Sequence, residues 1–118
     1  MEIRFELPFP PSVNRLWRTS GKRVHISKKY ADWRKIAIWE IKRQFVFIDP
    51  ITSSYSLRLF VRRPDKRKRD LDNLFKAVSD ALVEVGVIQD HNCVELYAKW
   101  VTEGPDCLVI LEDTDGEA

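Results

Sequence analysis

Between residues 54 and 86 the spacing of apolar side chains changes, and a strongly cationic stretch marks the change. Tyr55, Leu57, Leu59 and Val61 alternate with Ser54, Ser56, Arg58, Phe60 and Arg62, the pattern of a strand over 54–62 with one face buried. Leu71, Leu74, Phe75, Val78, Leu82 and Val85 then make one stripe at helical spacing over 71–85, and Gly86 suits the residue just past a helix C-terminus. A chain that passes from strand to loop to helix in this way belongs among folds that lay helices on a sheet.

The flanking segments extend the pattern. Ile3, Phe5 and Leu7 alternate in a first strand over 2–7, which Pro8, Pro10 and Pro11 stop. Tyr30, Trp33, Ile36, Ala37, Ile41 and Phe45 follow helical spacing, with Ser27 as cap and Asp49-Pro50 as terminator. Residues 93–101 and 106–112 read as two strands joined by a hairpin turn at Thr102-Glu103-Gly104-Pro105. The order β-α-β-α-β-β predicts an α+β fold, one mixed β-sheet covered by two helices, with residues 1–118 forming a single domain. The acidic tail, 113–118, is expected to fray.

Composition limits the function classes. No apolar stretch approaches bilayer length, and the first residues carry charges where a signal peptide has its apolar segment, so no membrane role is expected and a cytoplasmic location is. Cys93 and Cys107 lack metal-ligand spacing and read as small apolar residues of neighbouring strands. The net charge of +2 conceals an asymmetry. Residues 1–76 hold 19 of the 20 Lys/Arg and 8 of the 18 Asp/Glu, a net of +11, whereas residues 77–118 hold one Lys against ten acids, a net of −9. Such a split points to nucleic acid at the basic part, or to two mutually attracting faces of a dimer.

The cationic stretch itself carries the chemistry. Arg62, Arg63, Lys66, Arg67, Lys68 and Arg69 lead directly to Asp70 and Asp72, at the N-cap and first turn of the 71–85 helix. Cations that hold phosphate beside carboxylates that hold a hard divalent ion are what a metal-dependent nuclease must combine. Lys76, four residues after Asp72, would face it on the helix and offset charge developing at phosphorus. The bland reading is a solvated loop with Asp70 as a helix cap, which suits any one of these residues better than it suits the set. The loop over 8–26 adds Arg15, Lys22 and Arg23 beside Trp17, basic side chains with a ring that could stack a base or cover the core. Asp90, in Gly86-Val87-Ile88-Gln89-Asp90-His91-Asn92, is a further acid, about 20 Å of helix rise from Asp72 unless the chain returns or a second subunit supplies it. His91 is a metal ligand or a solvated turn residue.

Arg69-Asp70-Leu71-Asp72-Asn73-Leu74-Phe75-Lys76, continuing to Asp80-Ala81-Leu82 and Gly86-Val87-Ile88-Gln89-Asp90, resembles the RusA family of Holliday junction resolvases. Leu7-Pro8-Phe9-Pro10-Pro11-Ser12-Val13-Asn14-Arg15 and Val24-His25-Ile26-Ser27 resemble that family's opening segments, so the likeness spans nearly the whole chain. The resemblance implies a homodimeric, Mg²⁺-dependent endonuclease, with Mn²⁺ as substitute, that nicks four-way DNA junctions symmetrically in recombination and repair. It implies Asp70 and Asp72 as metal-binding acids, Lys76 as catalytic lysine, and Arg69 as a DNA contact, to which the basic run itself adds Lys66, Arg67 and Lys68. One departure stands out: the family has two adjacent aspartates where this chain has Asp90-His91. Either Asp90 fills the third position, or His91 does, or the chain binds junctions and cuts poorly. The competing functions are a DNA-binding module without catalysis and a metal-dependent nuclease acting on flaps or forks.

Overall fold

The computed structural model describes residues 2–12, 17–20, 23–26, 28–46 and 48–114. In chain order the elements are β1 (Glu2–Leu7), β2 (Trp17–Ser20), β3 (Arg23–Ile26), α1 (Lys28–Gln44) and β4 (Tyr55–Arg62). A 3₁₀ turn (Leu71–Leu74), α2 (Phe75–Val85), a second 3₁₀ turn (Asp90–Asn92), β5 (Cys93–Val101) and β6 (Cys107–Asp113) complete them. The main sheet has the order β1-β6-β4-β5, antiparallel except for the parallel pair β4 and β5. This is the expected α+β architecture of two helices and a mixed sheet.

Strand register explains how the alternating pattern becomes a core. Ile3, Leu111, Leu57 and Leu96 lie in one row across the sheet, Phe5, Val109, Leu59 and Ala98 in the next, and Leu7, Cys107, Val61 and Trp100 in a third. All of the residues that β1, β6 and β4 contribute to these rows are buried. Tyr30, Trp33, Ala37 and Ile41 of α1, with Ala77, Val78, Ala81 and Leu82 of α2, bury their stripes in the same core. Arg34 of α1 forms a two-pronged ion pair with Glu84 of α2, which ties the helices together at their surface.

Four expectations are corrected. The 93–112 segment is no hairpin: β5 and β6 flank β4 on opposite sides, and the 102–106 connection crosses the end of β4. The unbroken Cys107-Leu108-Val109-Ile110-Leu111 run suits a strand with neighbours on both sides, whereas Glu95 and Lys99 suit an edge. Arg62 secures the crossing through its backbone N–H, which donates to the Asp106 carbonyl, and through its guanidinium, 2.9 Å from the Asp106 carboxylate. The 71–85 helix opens as a 3₁₀ turn and becomes α only at Phe75, then ends at Gly86, whose φ of 93° lets its N–H bond Leu82 and Val83 carbonyls. The 8–26 segment is not all loop, because β2 and β3 form a separate antiparallel ribbon. Finally, Asp113 belongs to β6, and Thr114 donates its N–H to the Ser54 carbonyl, so only 115–118 of the acidic tail lie outside the described residues.

The sheet's two edges differ. At β1 the Gln44 side chain bonds both backbone groups of Glu6, accepting from its N–H at 2.8 Å and donating to its carbonyl at 3.0 Å. At β5 Val94, Leu96 and Tyr97 are 63%, 57% and 45% exposed.

Candidate active site and nucleic-acid interface

The basic loop between β4 and the first 3₁₀ turn is braced from within. Asp65 accepts the Arg67 backbone N–H at 3.0 Å and the Arg69 guanidinium at 2.9 Å, and these donors hold its carboxyl below the usual carboxylate range, Arg69 most strongly. The Arg63 guanidinium donates to the Arg67 carbonyl at 3.5 Å. Lys66 and Lys68 are exposed and make no ion pair or hydrogen bond with the described residues, which leaves two ammonium groups for an incoming polyanion.

An aromatic pair seats both ends of this loop. Phe9 stacks on Trp100 of β5 with centroids 6.3 Å apart and planes 8° from parallel. Arg63 lies over Trp100, 4.4 Å from the ring centroid, and Arg69 lies over Phe9 at 5.3 Å. Cation–π contacts thus fix the first and last arginines of the loop while the residues between them face water. The Arg69 Nε is buried without a hydrogen-bond partner among the described residues. Phe9, Trp100 and Asp65 had no place in the sequence reading of this site. The ring contacts join segments far apart in the chain, so no local spacing announces them.

The loop delivers the chain to the two acids. Asp70 occupies the N-cap position with extended backbone (φ −87°, ψ 112°), yet its carboxylate caps nothing, since the turn is closed by Asn73 N–H donating to the Asp70 carbonyl at 3.2 Å. The Asn73 side-chain amide approaches the Asp70 carboxylate at 3.4 Å. Asp72 is exposed in the same turn and has no ion pair or hydrogen bond with the described residues. Because Asp72 sits in a 3₁₀ turn, α-helical spacing does not hold Lys76 against it; Lys76 Nζ instead contacts Asp80 at 2.9 Å. That contact raises the lysine pKa and keeps it a cation.

Asp90 returns part of the way. The chain doubles back after α2, and the Asp90 carboxylate accepts from the Ser79 hydroxyl at 3.4 Å. Ser79 lies seven residues past Asp72, roughly 10 Å of helix rise. Among the described residues no three His, Cys, Asp or Glu side chains lie close enough to share a metal ion. His91 is exposed in the second 3₁₀ turn. Arg15 and Lys22 lie outside the described residues, and Arg23 opens β3.

A family model described as endodeoxyribonuclease RusA matches residues 8–112, a span that takes in the Phe9 segment, the basic loop, both acids, Lys76 and Asp90. The chain belongs to the RusA family. A crossover junction endodeoxyribonuclease of Enterobacteria phage HK97 is 37% identical over 89 residues, covering 75% of this chain and 73% of its own length. Another, from Aquifex aeolicus, is 34% identical over 107 residues, covering 89% of this chain and 83% of its own. No helix among the described residues of this family member is long and apolar enough to cross a membrane.

Proposed function

We propose that this RusA-family chain is a Mg²⁺-dependent crossover junction endodeoxyribonuclease, acting as a homodimer that nicks opposing strands of a four-way DNA junction. The observation that carries the reading is the pair of carboxylates, Asp70 and Asp72, neither capping a helix nor held in an ion pair among the described residues, at the exit of a loop whose free ammonium groups attract phosphate. Asp70 and Asp72 would hold the ion, with Asp90 completing an all-oxygen set that suits a hard cation, or with His91 supplying a nitrogen in the third position. When bound, the ion would polarise the scissile phosphate and make a bound water more acidic.

The protein's own side chains do the rest. Lys66, Arg67, Lys68 and Arg69 hold the DNA backbone, and the Phe9–Trp100 pair sets where the loop presents it. Lys76, protonated and tethered to Asp80, can swing to offset charge on the departing oxygen. A dimer supplies two equivalent sites for two nicks. The absence of a third acid beside Asp70 and Asp72 among the described residues favours one alternative, a junction-binding module with little catalysis.

The deciding experiment incubates purified protein with a synthetic four-way junction, a flap, a fork and a duplex, with and without Mg²⁺ or Mn²⁺. Paired nicks in the junction that need the metal are expected. Junction binding without cleavage under either metal would move the assignment to the binding module, and faster cutting of flaps or forks would move it to that substrate class.

A further inference from the structure

The open edge at β5 has a self-complementary sequence. Register with β4 places Leu96, Ala98 and Trp100 on the helix-covered face with Leu57, Leu59 and Val61, while Glu95, Tyr97 and Lys99 lie on the other face with Ser56, Arg58 and Phe60. No strand among the described residues pairs with the outer side of β5, and along it the exposed apolar Val94, Leu96 and Tyr97 stand between and beside the two edge charges, Glu95 and Lys99.

We infer that β5 is the homodimer contact, pairing antiparallel with β5 of a second copy about a two-fold axis through Tyr97. This rests on the homodimer reading above and adds the surface and its register. A two-fold pairing sets residue i opposite j and j opposite i, and residues directly opposite share a face. With the axis at Tyr97, Glu95 faces the partner's Lys99 and Lys99 faces the partner's Glu95. On the helix face Val94 meets the partner's Trp100 and Leu96 meets the partner's Ala98, so apolar lies against apolar.

Other registers lose this match. An axis at Leu96 or Ala98 separates Glu95 from the partner's Lys99, and an axis at Glu95 or Lys99 brings like charges together, which opposes strand pairing. Lys99 makes no ion pair or hydrogen bond with the described residues, and Glu95, 3.5 Å from Arg58, is exposed. Both copies keep their helices on the same side of the joined sheet, and the two basic loops fall at opposite ends of the paired strands, one for each nicked strand.

The test uses the full chain with its native cysteines. In Tyr97→Cys the two introduced residues face each other at a Cα separation of about 4.5–5.5 Å, within disulfide reach, so mild oxidation should yield a covalent dimer. In Glu95→Cys they are about 13 Å apart along the strands and should not cross-link. Lys99→Glu should raise the dimer dissociation constant by about tenfold, and adding Glu95→Lys should restore it. A protein that is dimeric by light scattering, yet gives no cross-link as Tyr97→Cys and ignores Lys99→Glu, would overturn the β5 contact while leaving the homodimer standing. A monomer at micromolar concentration, free and DNA-bound, would overturn both.

Discussion

The Arg69 guanidinium rests on the Phe9 ring, 5.3 Å from its centroid, and so ties the last cation before Asp70 to the segment that leaves β1. Phe9→Leu keeps apolar bulk but removes the ring face. Junction binding should weaken by about two- to fivefold, the equivalent of roughly 0.5–1 kcal/mol. Phe9→Tyr should bind normally. Equal binding by the Leu variant in a gel-shift titration would mean that the ring does not set the position of Arg69.

Asp70→Asn and Asp72→Asn should abolish cleavage and leave junction binding intact or tighter. The amide keeps the shape of the side chain and removes the charge a divalent ion needs, while repulsion of phosphate falls. Neither carboxylate caps a helix or closes an ion pair among the described residues, so thermal stability should move little. Normal turnover by either variant would refute the metal-site assignment.

At the position where the family resemblance breaks, Asp90→Asn should stop cleavage and His91→Ala should do little if Asp90 is the third ligand. If His91 is the ligand, Mn²⁺ should support faster cleavage than Mg²⁺, because imidazole suits the softer ion, and His91→Asp should raise the Mg²⁺-supported rate. Metal titrations of cleavage for the three variants separate these outcomes. Full activity in Asp90→Asn excludes the first.

Lys66 and Lys68 offer free ammonium groups, whereas Arg69 is already held by Asp65 and Phe9. Lys66→Ala with Lys68→Ala should therefore lower the log–log dependence of binding on salt by about 0.9 for each phosphate no longer neutralised, with an unchanged melting temperature. Arg69→Ala should lose binding and loop order together. An unchanged slope in the double lysine variant would mark the loop as merely solvated.

The Lys76–Asp80 ion pair sets a pH expectation. Since the folded state raises the lysine pKa above its ordinary 10.5, the pair's contribution to stability is fully present below that value and fades as pH rises through the raised one. Lys76 is thus a cation throughout neutral and mildly alkaline solution and cannot serve as a general base there. Cleavage by the unmodified protein and by Lys76→Arg should show parallel pH profiles between about pH 7 and pH 9, while Lys76→Met should be slower throughout. A basic limb that disappears in Lys76→Arg would contradict this.

Much of this was readable along the chain wherever one element decided it. The alternation in 2–7 and 54–62 and the stripe in 71–85 located strands and helices because burial imposes its period on a single segment. Pairing was less legible. The turn-like residues 102–105 suggested a hairpin, and only competition for the central place in the sheet, won by the apolar β6, sent the chain across β4. In the site, i,i+4 spacing offers Lys76 two acids, Asp72 and Asp80, and the 3₁₀ turn around Asp72 decides for Asp80. Ser79 beside Asp90 depends on the return of the chain after α2, and the Phe9–Trp100 seat joins β5 to the exit of β1. Neither has a local signature.

The Gln44 amide that occupies both backbone groups of Glu6 has a consequence for how far association can run. A sheet that is open at both margins can add copies without limit, and each addition regenerates the surface that invites the next. Here one margin carries Glu2, Arg4 and Glu6 and is plugged at Glu6, which disfavours pairing there relative to the other. Once two copies have met at β5, each presents only its plugged margin outward. With the β5 contact inferred above, growth would stop at a pair instead of running on into a fibre.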